Sequence, residues 1–334
     1  MAPNIREPLA YAGGGGGNEG PTHDVVSRIY LIRHGDRFDY ANPSWLDSAK
    51  AHGALITDPP LSPLGHRQAM ETADHLWKLV NKSKEQHSTT NNEDTANASA
   101  AAAGMELHHH VDEILVSPYL RVIQTAIPTS TLLGLPLSIE SGLSESHATP
   151  GPNILPTPSE RFRYFPQINP NYTSLLEVKS TPGYSCSKTG YPCEAFAGRY
   201  IQRMQSFASI LEKAHYGKSI VLFSHAASVA LVASLLRCSM RQLKFAPCGI
   251  YQLQRVNDDP WTLVRNGECN SEYVSENSAT TYPWGFSDEH FQEDSNDISQ
   301  NDGGAKRNDY FGSSEGIDLD YFVKYRDYEE MSRM

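Results

Sequence analysis

Apolar and polar positions follow two rhythms along this chain, and the change from one to the other marks its elements. Short continuous apolar runs at Ile29–Ile32, Ile114–Val116 and Ser219–Phe223 read as buried strands, and Leu137–Glu140 is a further candidate. Between them the spacing becomes helical. Ala69, Ala73, Leu76, Trp77 and Val80 form one apolar stripe; Leu120, Ile123 and Ile127, continued by Leu132-Leu133, form a second; Phe196, Tyr200, Met204, Phe207 and Leu211 form a third. Ser62-Pro63 and Ser117-Pro118 each look like an N-cap followed by proline at the first helical position, and so predict helix starts at both places. Val229–Leu236 reads as another helix, and Ile250–Val256 with Trp261–Val264 as a final hairpin at the sheet edge. Strands alternating with helices imply an α/β layered fold around a mainly parallel sheet.

Three stretches fall outside this pattern. Residues 1–24 contain the unbroken run Gly13–Gly17 and read as a Gly-rich disordered tail. Residues 81–110 collapse into polar and alanine-rich sequence and read as a low-complexity insertion between a helix and the next strand. Residues 285–334 form an acidic tail in which Ile317–Tyr328 is a candidate docking helix. The folded domain is thus expected over residues 25–284. Phe38–Pro60, with Pro43, Trp45, Gly53 and Pro59-Pro60, reads as a long loop above the sheet, and the Pro-rich stretch Thr149–Pro170 as another loop.

Charge narrows the function classes. Of the formal net charge of −11, the tail from Gly285 onward carries −8, with 13 acidic against 5 basic residues, so the remainder is close to neutral. A nucleic-acid-binding body would need a basic face, and none is indicated. The five cysteines, Cys186, Cys193, Cys238, Cys248 and Cys269, are odd in number and irregular in spacing; free thiols in a reducing compartment are the reading, with Cys186 and Cys193 the one pair near enough in sequence to bond or share a metal. No run approaches a membrane span, so the expectation is a cytoplasmic protein, with the nucleus as the alternative compartment. His108-His109-His110 abuts low complexity and is read as an accident of composition rather than a metal site.

Three of the apolar runs end in residues able to do chemistry: Ile32 before Arg33-His34, Val116 before the turn to Arg121, and Phe223 before Ser224-His225. In a parallel sheet these carboxyl ends converge on one edge, where open α/β sheets bind ligands. A neutral imidazole among guanidiniums suits attack on a phosphoryl group whose oxygens the arginines hold. The alternative for Arg33-His34 alone is a strand-end histidine with solvated arginines, and for His225 a buried core histidine.

Arg33-His34-Gly35, Ser117-Pro118-Tyr119-Leu120-Arg121 with Gln124-Thr125-Ala126, and Ser224-His225 resemble, in order and context, the histidine phosphatase superfamily, the branch containing phosphoglycerate mutase. The resemblance runs from about Arg28 to Arg255. Asp36-Arg37, the phrase Asp58-Pro59-Pro60-Leu61 with Gly65, and Ile139–Glu145 look most like the suppressor-of-T-cell-receptor-signalling phosphatases; they also resemble a subunit of an RNA polymerase III transcription factor and plant-type relatives. The resemblance implies a three-layer α/β/α sandwich. It also implies His34 as a nucleophile forming phosphohistidine, Arg33, Arg37 and Arg121 around the phosphoryl oxygens with His225 as a further donor, and Glu145 in the position of the general acid and base. Neither a metal nor a cofactor is required by that mechanism.

Several details qualify this picture. Relatives often carry an aromatic after the acid, where this chain has Ser146. Glu140 reads as structural, Glu160 is the runner-up acid, and Asp36 a third candidate expected to be held instead by Arg37. His147 reads as incidental, and Arg161 and Arg163 as solvated loop charges, with contact to the far side of a substrate as the alternative. Mutases of the branch follow Arg-His-Gly with an acidic or amide residue, serine and a nearby asparagine, whereas this chain has Asp36-Arg37-Phe38, which favours a phosphatase. Trp45 near the opening suggests a larger or aromatic phosphate. The expected partner is a phosphorylated small molecule or phosphopeptide, without nucleic acid or membrane; the alternatives are a mutase, or a non-catalytic scaffold or transcription-complex subunit contacting protein partners through its tails.

Overall fold

In a computed structural model of the chain, the described residues are 24–42, 44–45, 47, 58–81, 111–145, 155–176, 185–186, 192–193, 197–240, 243, 245–267 and 270–278. The insertion beyond Asn81, the His108–His110 tract, His147, Cys269 and both tails, with the candidate helix at 317–328, lie outside them, as do the side chains of Cys186 and Cys193.

Six strands form the central sheet: β1 (Val26–Arg33), β2 (Glu113–Val116), β3 (Leu137–Ile139), β6 (Ser219–Ser224), β7 (Ile250–Val256) and β8 (Thr262–Arg265). A separate two-stranded pairing joins β4 (Ser185–Cys186) to β5 (Pro192–Cys193). The order across the sheet is β3-β2-β6-β1-β7-β8. β3, β2, β6 and β1 run parallel; β7 and β8 add an antiparallel edge. The final hairpin is therefore present, although its second strand begins at Thr262 and Trp261 instead donates its indole N–H to Glu212 Oε1 at 2.7 Å.

Because side chains alternate across a strand, each strand supplies both layers. Ile29, Leu31, Leu115, Ile220 and Leu222 face one way, against Tyr200, Met204, Phe207 and Leu211 of α5 (Ala197–Ala214) and the apolar α6 (Val229–Leu236). Tyr30, Ile32, Ile114, Val116, Val221 and Phe223 face the other way, against Leu76 and Val80 of α2 (Pro63–Asn81) and Ile123 and Ala126 of α3 (Leu120–Leu133). This is the three-layer sandwich. Full burial on both faces explains why β1 and β6 read as unbroken apolar runs.

Of the two Ser-Pro signals, one holds. α2 starts at Pro63, and the Ser62 hydroxyl accepts the Gly65 N–H at 3.0 Å as an N-cap. α3 starts later than expected, at Leu120 with Tyr119 at the N-cap, and Ser117 contributes no cap. Its first free N–H is satisfied from far along the chain: Leu120 N donates to Asp58 Oδ1 at 2.7 Å.

The loop expected over Phe38–Pro60 contains a short helix, α1 (Phe38–Ala41). Trp45 is 1% exposed and packs edge-on to Phe38 within the core, so it is not placed to line an opening for an aromatic substrate.

Candidate functional site

The register of the sheet sets the site. Arg33 at the end of β1 pairs with Ser224 at the end of β6, and Val116 at the end of β2 pairs with Phe223. His34 and His225 are therefore each the first residue past adjoining strand ends. Backbone bonds fix them there: His34 N donates to Ser224 O at 3.0 Å, and Ser117 N to Phe223 O at 3.0 Å. The three carboxyl ends lie side by side, as the sequence pattern required.

Two glycines let the turn after His34 approach α2. A Cβ on Gly35 would lie 2.8 Å from the Gly65 carbonyl oxygen, and one on Gly65 would collide with the Asp36 carbonyl, so backbone meets backbone at both positions. Gly35 N then donates to Thr125 Oγ1 at 3.1 Å, and Thr125 Oγ1 donates to Arg121 O at 2.7 Å. That relay registers the His34 turn against the first turn of α3, which carries Arg121.

The histidines take opposite tautomers. His34 Nδ1 lies 2.8 Å from the Gly35 carbonyl oxygen, which can only accept, so Nδ1 carries the proton and Nε2 keeps its lone pair. Arg121 Nη2 donates to His225 Nδ1 at 3.1 Å, so the His225 proton sits on Nε2 and is given to Ser117 Oγ at 2.8 Å. Ser117, read as a helix cap, instead orients His225. The two rings meet edge to face with centroids 5.5 Å apart, and Tyr119 stands edge-on to His225 at 5.0 Å.

Arg33 and Arg121 are buried and Arg37 half-buried around this pair. Arg33 donates Nη1 to Phe245 O at 2.5 Å; its Nε, and Nε and Nη1 of Arg121, are buried without a hydrogen-bond partner among the described residues. Such donors cost free energy unless an acceptor meets them, which fits an anion with several oxygens. Arg37 is gripped by Asp39 through Nε at 3.0 Å and Nη2 at 2.7 Å and lies 4.1 Å over the Tyr40 ring. It does not hold Asp36, which accepts from Ser62 Oγ at 2.6 Å and whose N–H reaches Gln68 Oε1 at 2.9 Å. Asp36 thus braces the turn and is removed as an acid candidate.

Glu145 joins the cluster. Its Oε2 lies 3.3 Å from His225 Nδ1 and 3.7 Å from Arg121 Nη2, and its side chain is 30% exposed. Glu160 does not join: it closes a capping box with Thr157 on α4 (Pro158–Phe162), bonded to the Thr157 N–H at 2.7 Å and hydroxyl at 2.8 Å. Glu140 is structural as expected, fully buried and accepting from the N–H groups of Gly142, Leu175 and Leu176 and from the hydroxyls of Tyr172 and Ser174. Arg161 is not a solvated loop charge; it is 2% exposed and donates to Asp58 Oδ2 at 2.6 Å, while Arg163 is exposed.

Arg203 was missed by the sequence reading. It is fully buried on α5 and donates to the carbonyls of Gly142, Ser144 and Glu145, fixing the segment that presents Glu145. Its signal was a cation three residues after Tyr200 and four before Phe207, on the apolar face of a helix.

Burial pushes the His34 ring well below its ordinary pKa of 6.5, and Arg121 and Arg33 push the same way; His225 is lowered by burial, Arg121 and His34. Burial lowers Arg33 to about 10, which leaves it charged at neutral pH. Both imidazoles thus remain neutral below pH 6.5, and any reaction needing the His34 lone pair should keep its rate there, the acid limb of kcat/KM falling well below that value. Stability moves oppositely. The unfolded chain takes up protons near 6.5 while the folded rings do not, so stability falls as pH drops through that window by on the order of 1 kcal/mol per pH unit for each ring. Urea unfolding at about pH 7 and about pH 5.5, compared with the same pair of measurements on His225→Phe, checks this.

The family model of the histidine phosphatase superfamily (branch 1) matches residues 91–268, just over half of the chain and inclusive of Arg121, Glu145 and His225, while Arg33 and His34 precede the matched span. The chain is 28% identical over 299 residues to the transcription factor tau 55 kDa subunit of Saccharomyces cerevisiae, covering 78% of this chain and 59% of that protein. Similar solved structures include an ecdysone phosphate phosphatase from Bombyx mori in complex with tungstate (TM-score 0.47, 18% identity, 77% of this chain and 97% of that one). They also include a mycobacterial glucosyl-3-phosphoglycerate phosphatase (TM-score 0.40, 18% identity, 73% and 100%). A phosphoserine phosphatase from Entamoeba histolytica is a further one (TM-score 0.39, 16% identity, 74% and 100%). With its sheet, its strand-end histidines and the family match in agreement, this chain belongs to the histidine phosphatase superfamily, branch 1.

Proposed function

We propose that the chain is a metal-independent phosphomonoesterase that works through a phosphohistidine on His34. The observation that carries this reading is the tautomer lock: the Gly35 carbonyl holds the proton on Nδ1, and the ring is neutral, so Nε2 is a nucleophile among three guanidiniums. Nε2 forms a bond to phosphorus as the P–O bond to the leaving group breaks, and Glu145 supplies the proton that the leaving oxygen needs. A water then gives a proton to Glu145 and attacks phosphorus, the P–N bond breaks, and the imidazole is restored. Arg33, Arg37 and Arg121 bind the phosphoryl oxygens and stabilise charge that builds in line, with His225 beside them. The substrate is a phosphorylated small molecule or phosphopeptide, and Asp36-Arg37-Phe38 favours hydrolysis over mutase transfer.

A second reading is supported by the yeast relative, whose name makes it a transcription factor subunit and which matches over 78% of this chain. In that reading the fold serves a protein assembly, with the nucleus as its compartment and the terminal segments as contacts. The chain spans 59% of that relative's length, so its partners are a proposal here. The two readings separate on an aryl phosphate assay of the full chain in excess chelator. Turnover that persists supports the phosphatase; loss of turnover to chelator contradicts the metal-independent mechanism, and no turnover on a broad phosphate panel favours the assembly role.

A further inference from the structure

We infer that Asp58 and Arg161 are positioning residues that keep Arg121 available to a phosphoryl group, an inference that rests on the phosphoryl-holding role proposed for Arg121. Asp58 is buried and each of its oxygens accepts a short hydrogen bond. Oδ2 accepts from Arg161 Nη2 at 2.6 Å, and Oδ1 accepts from Leu120 N at 2.7 Å. Arg121 Nη1 lies 3.9 Å from Oδ1, close enough for attraction and too far for a hydrogen bond. Nη1 and Nε of Arg121 remain buried donors with no hydrogen-bond partner among the described residues.

This spacing is a competition between two cations for one carboxylate. Arg161 satisfies Asp58 from α4, where the Thr157–Glu160 capping box fixes its helix turn. Asp58 in turn pins the amino end of α3, one residue before Arg121, through the Leu120 N–H. Without Arg161, a buried carboxylate would lose its shortest ion pair, and the nearest remaining guanidinium is Arg121. Asp58 would then draw Nη1 into a direct salt bridge and turn the fork from the pocket. A purely structural pair has no such directional consequence.

The test compares Arg161→Met, Asp58→Asn and the double variant, reading the dissociation constant for inorganic phosphate by calorimetry and kcat and KM on an aryl phosphate. Arg161→Met is expected to weaken phosphate binding on the order of 10-fold or more and raise KM, as loss of one charge-assisted hydrogen bond from Arg121 does. Adding Asp58→Asn removes the competing charge while keeping the amide oxygen for Leu120, and should return phosphate affinity to within a few-fold of wild type. A double variant as weak as Arg161→Met, or an Arg161→Met protein binding phosphate like wild type, overturns the inference. Should Arg161→Met fail to fold, Arg161→Gln takes its place in the same comparison. A wild-type chain that neither binds inorganic phosphate nor hydrolyses the aryl phosphate contradicts the phosphatase reading separately. In that case the crystal structure of the Arg161 variant decides: the Arg121 Nη1–Asp58 Oδ1 separation closes to about 3 Å if Asp58 captures Arg121, and stays open if the inference is wrong.

Discussion

Replacing His34 with alanine is expected to lower phosphatase turnover on the order of 10⁴-fold or more while leaving the chain folded. The size follows from the role. If Nε2 forms the bond to phosphorus, no neighbour can substitute: His225 turns its Nδ1 lone pair to Arg121 and its proton to Ser117. Folding should tolerate the change, because among the described residues the ring makes one hydrogen bond, to the adjacent Gly35 carbonyl, worth about 1 kcal/mol net. The backbone bond from His34 N to Ser224 O persists in alanine. Turnover of the purified variant, with a urea midpoint to confirm the fold, is the measurement. A variant keeping a tenth of wild-type rate would remove His34 from the reaction.

Glu145→Gln is expected to produce a loss that depends on the leaving group. As general acid, Glu145 matters most where the departing oxygen is basic, so an alkyl phosphate should slow by about 10²- to 10⁴-fold. An aryl phosphate whose phenoxide leaves readily needs less protonation, and its first step should slow far less. Glutamine keeps the size of the side chain and an acceptor toward Arg121, and it has no carboxyl proton to give. A leaving-group series of phosphate esters, measured on wild type and variant, separates this from electrostatics. A steeper dependence in the variant supports proton donation, whereas parallel lines mean that Glu145 acts through its charge on Arg121 and His225, which lie 3.7 and 3.3 Å away.

The strands that carry the site were legible because burial on both faces writes them as unbroken apolar runs, and the polar residue ending each run marks the edge where chemistry collects. The order β3-β2-β6-β1 was not legible, since parallel pairing leaves no mark in a single sequence. The misreadings share one cause: local signals describe local partners. Ser117-Pro118 has the pattern of a helix cap, yet its hydroxyl is taken by His225, 108 residues away, and the helix is capped by Asp58 from 62 residues before it. Arg161 read as solvated because it lies in a Pro-rich loop, and its Asp58 partner is 103 residues distant. Glu160 has the composition of an acid and the position of a capping-box residue, and the Thr157 three residues before it decided between them. Trp45 looked like part of an opening because its loop is polar and proline-rich, while the aromatic ring itself goes to the core.

The most direct test of the central claim is to trap the intermediate. Full-length protein mixed with a ³²P-labelled aryl phosphate and quenched within the first turnover should carry label that is stable to alkali and lost in acid, the behaviour of a phosphorus–nitrogen bond. Proteolysis should place it on the peptide containing His34. Label stable to acid, or label that persists in His34→Ala, would contradict the phosphohistidine mechanism.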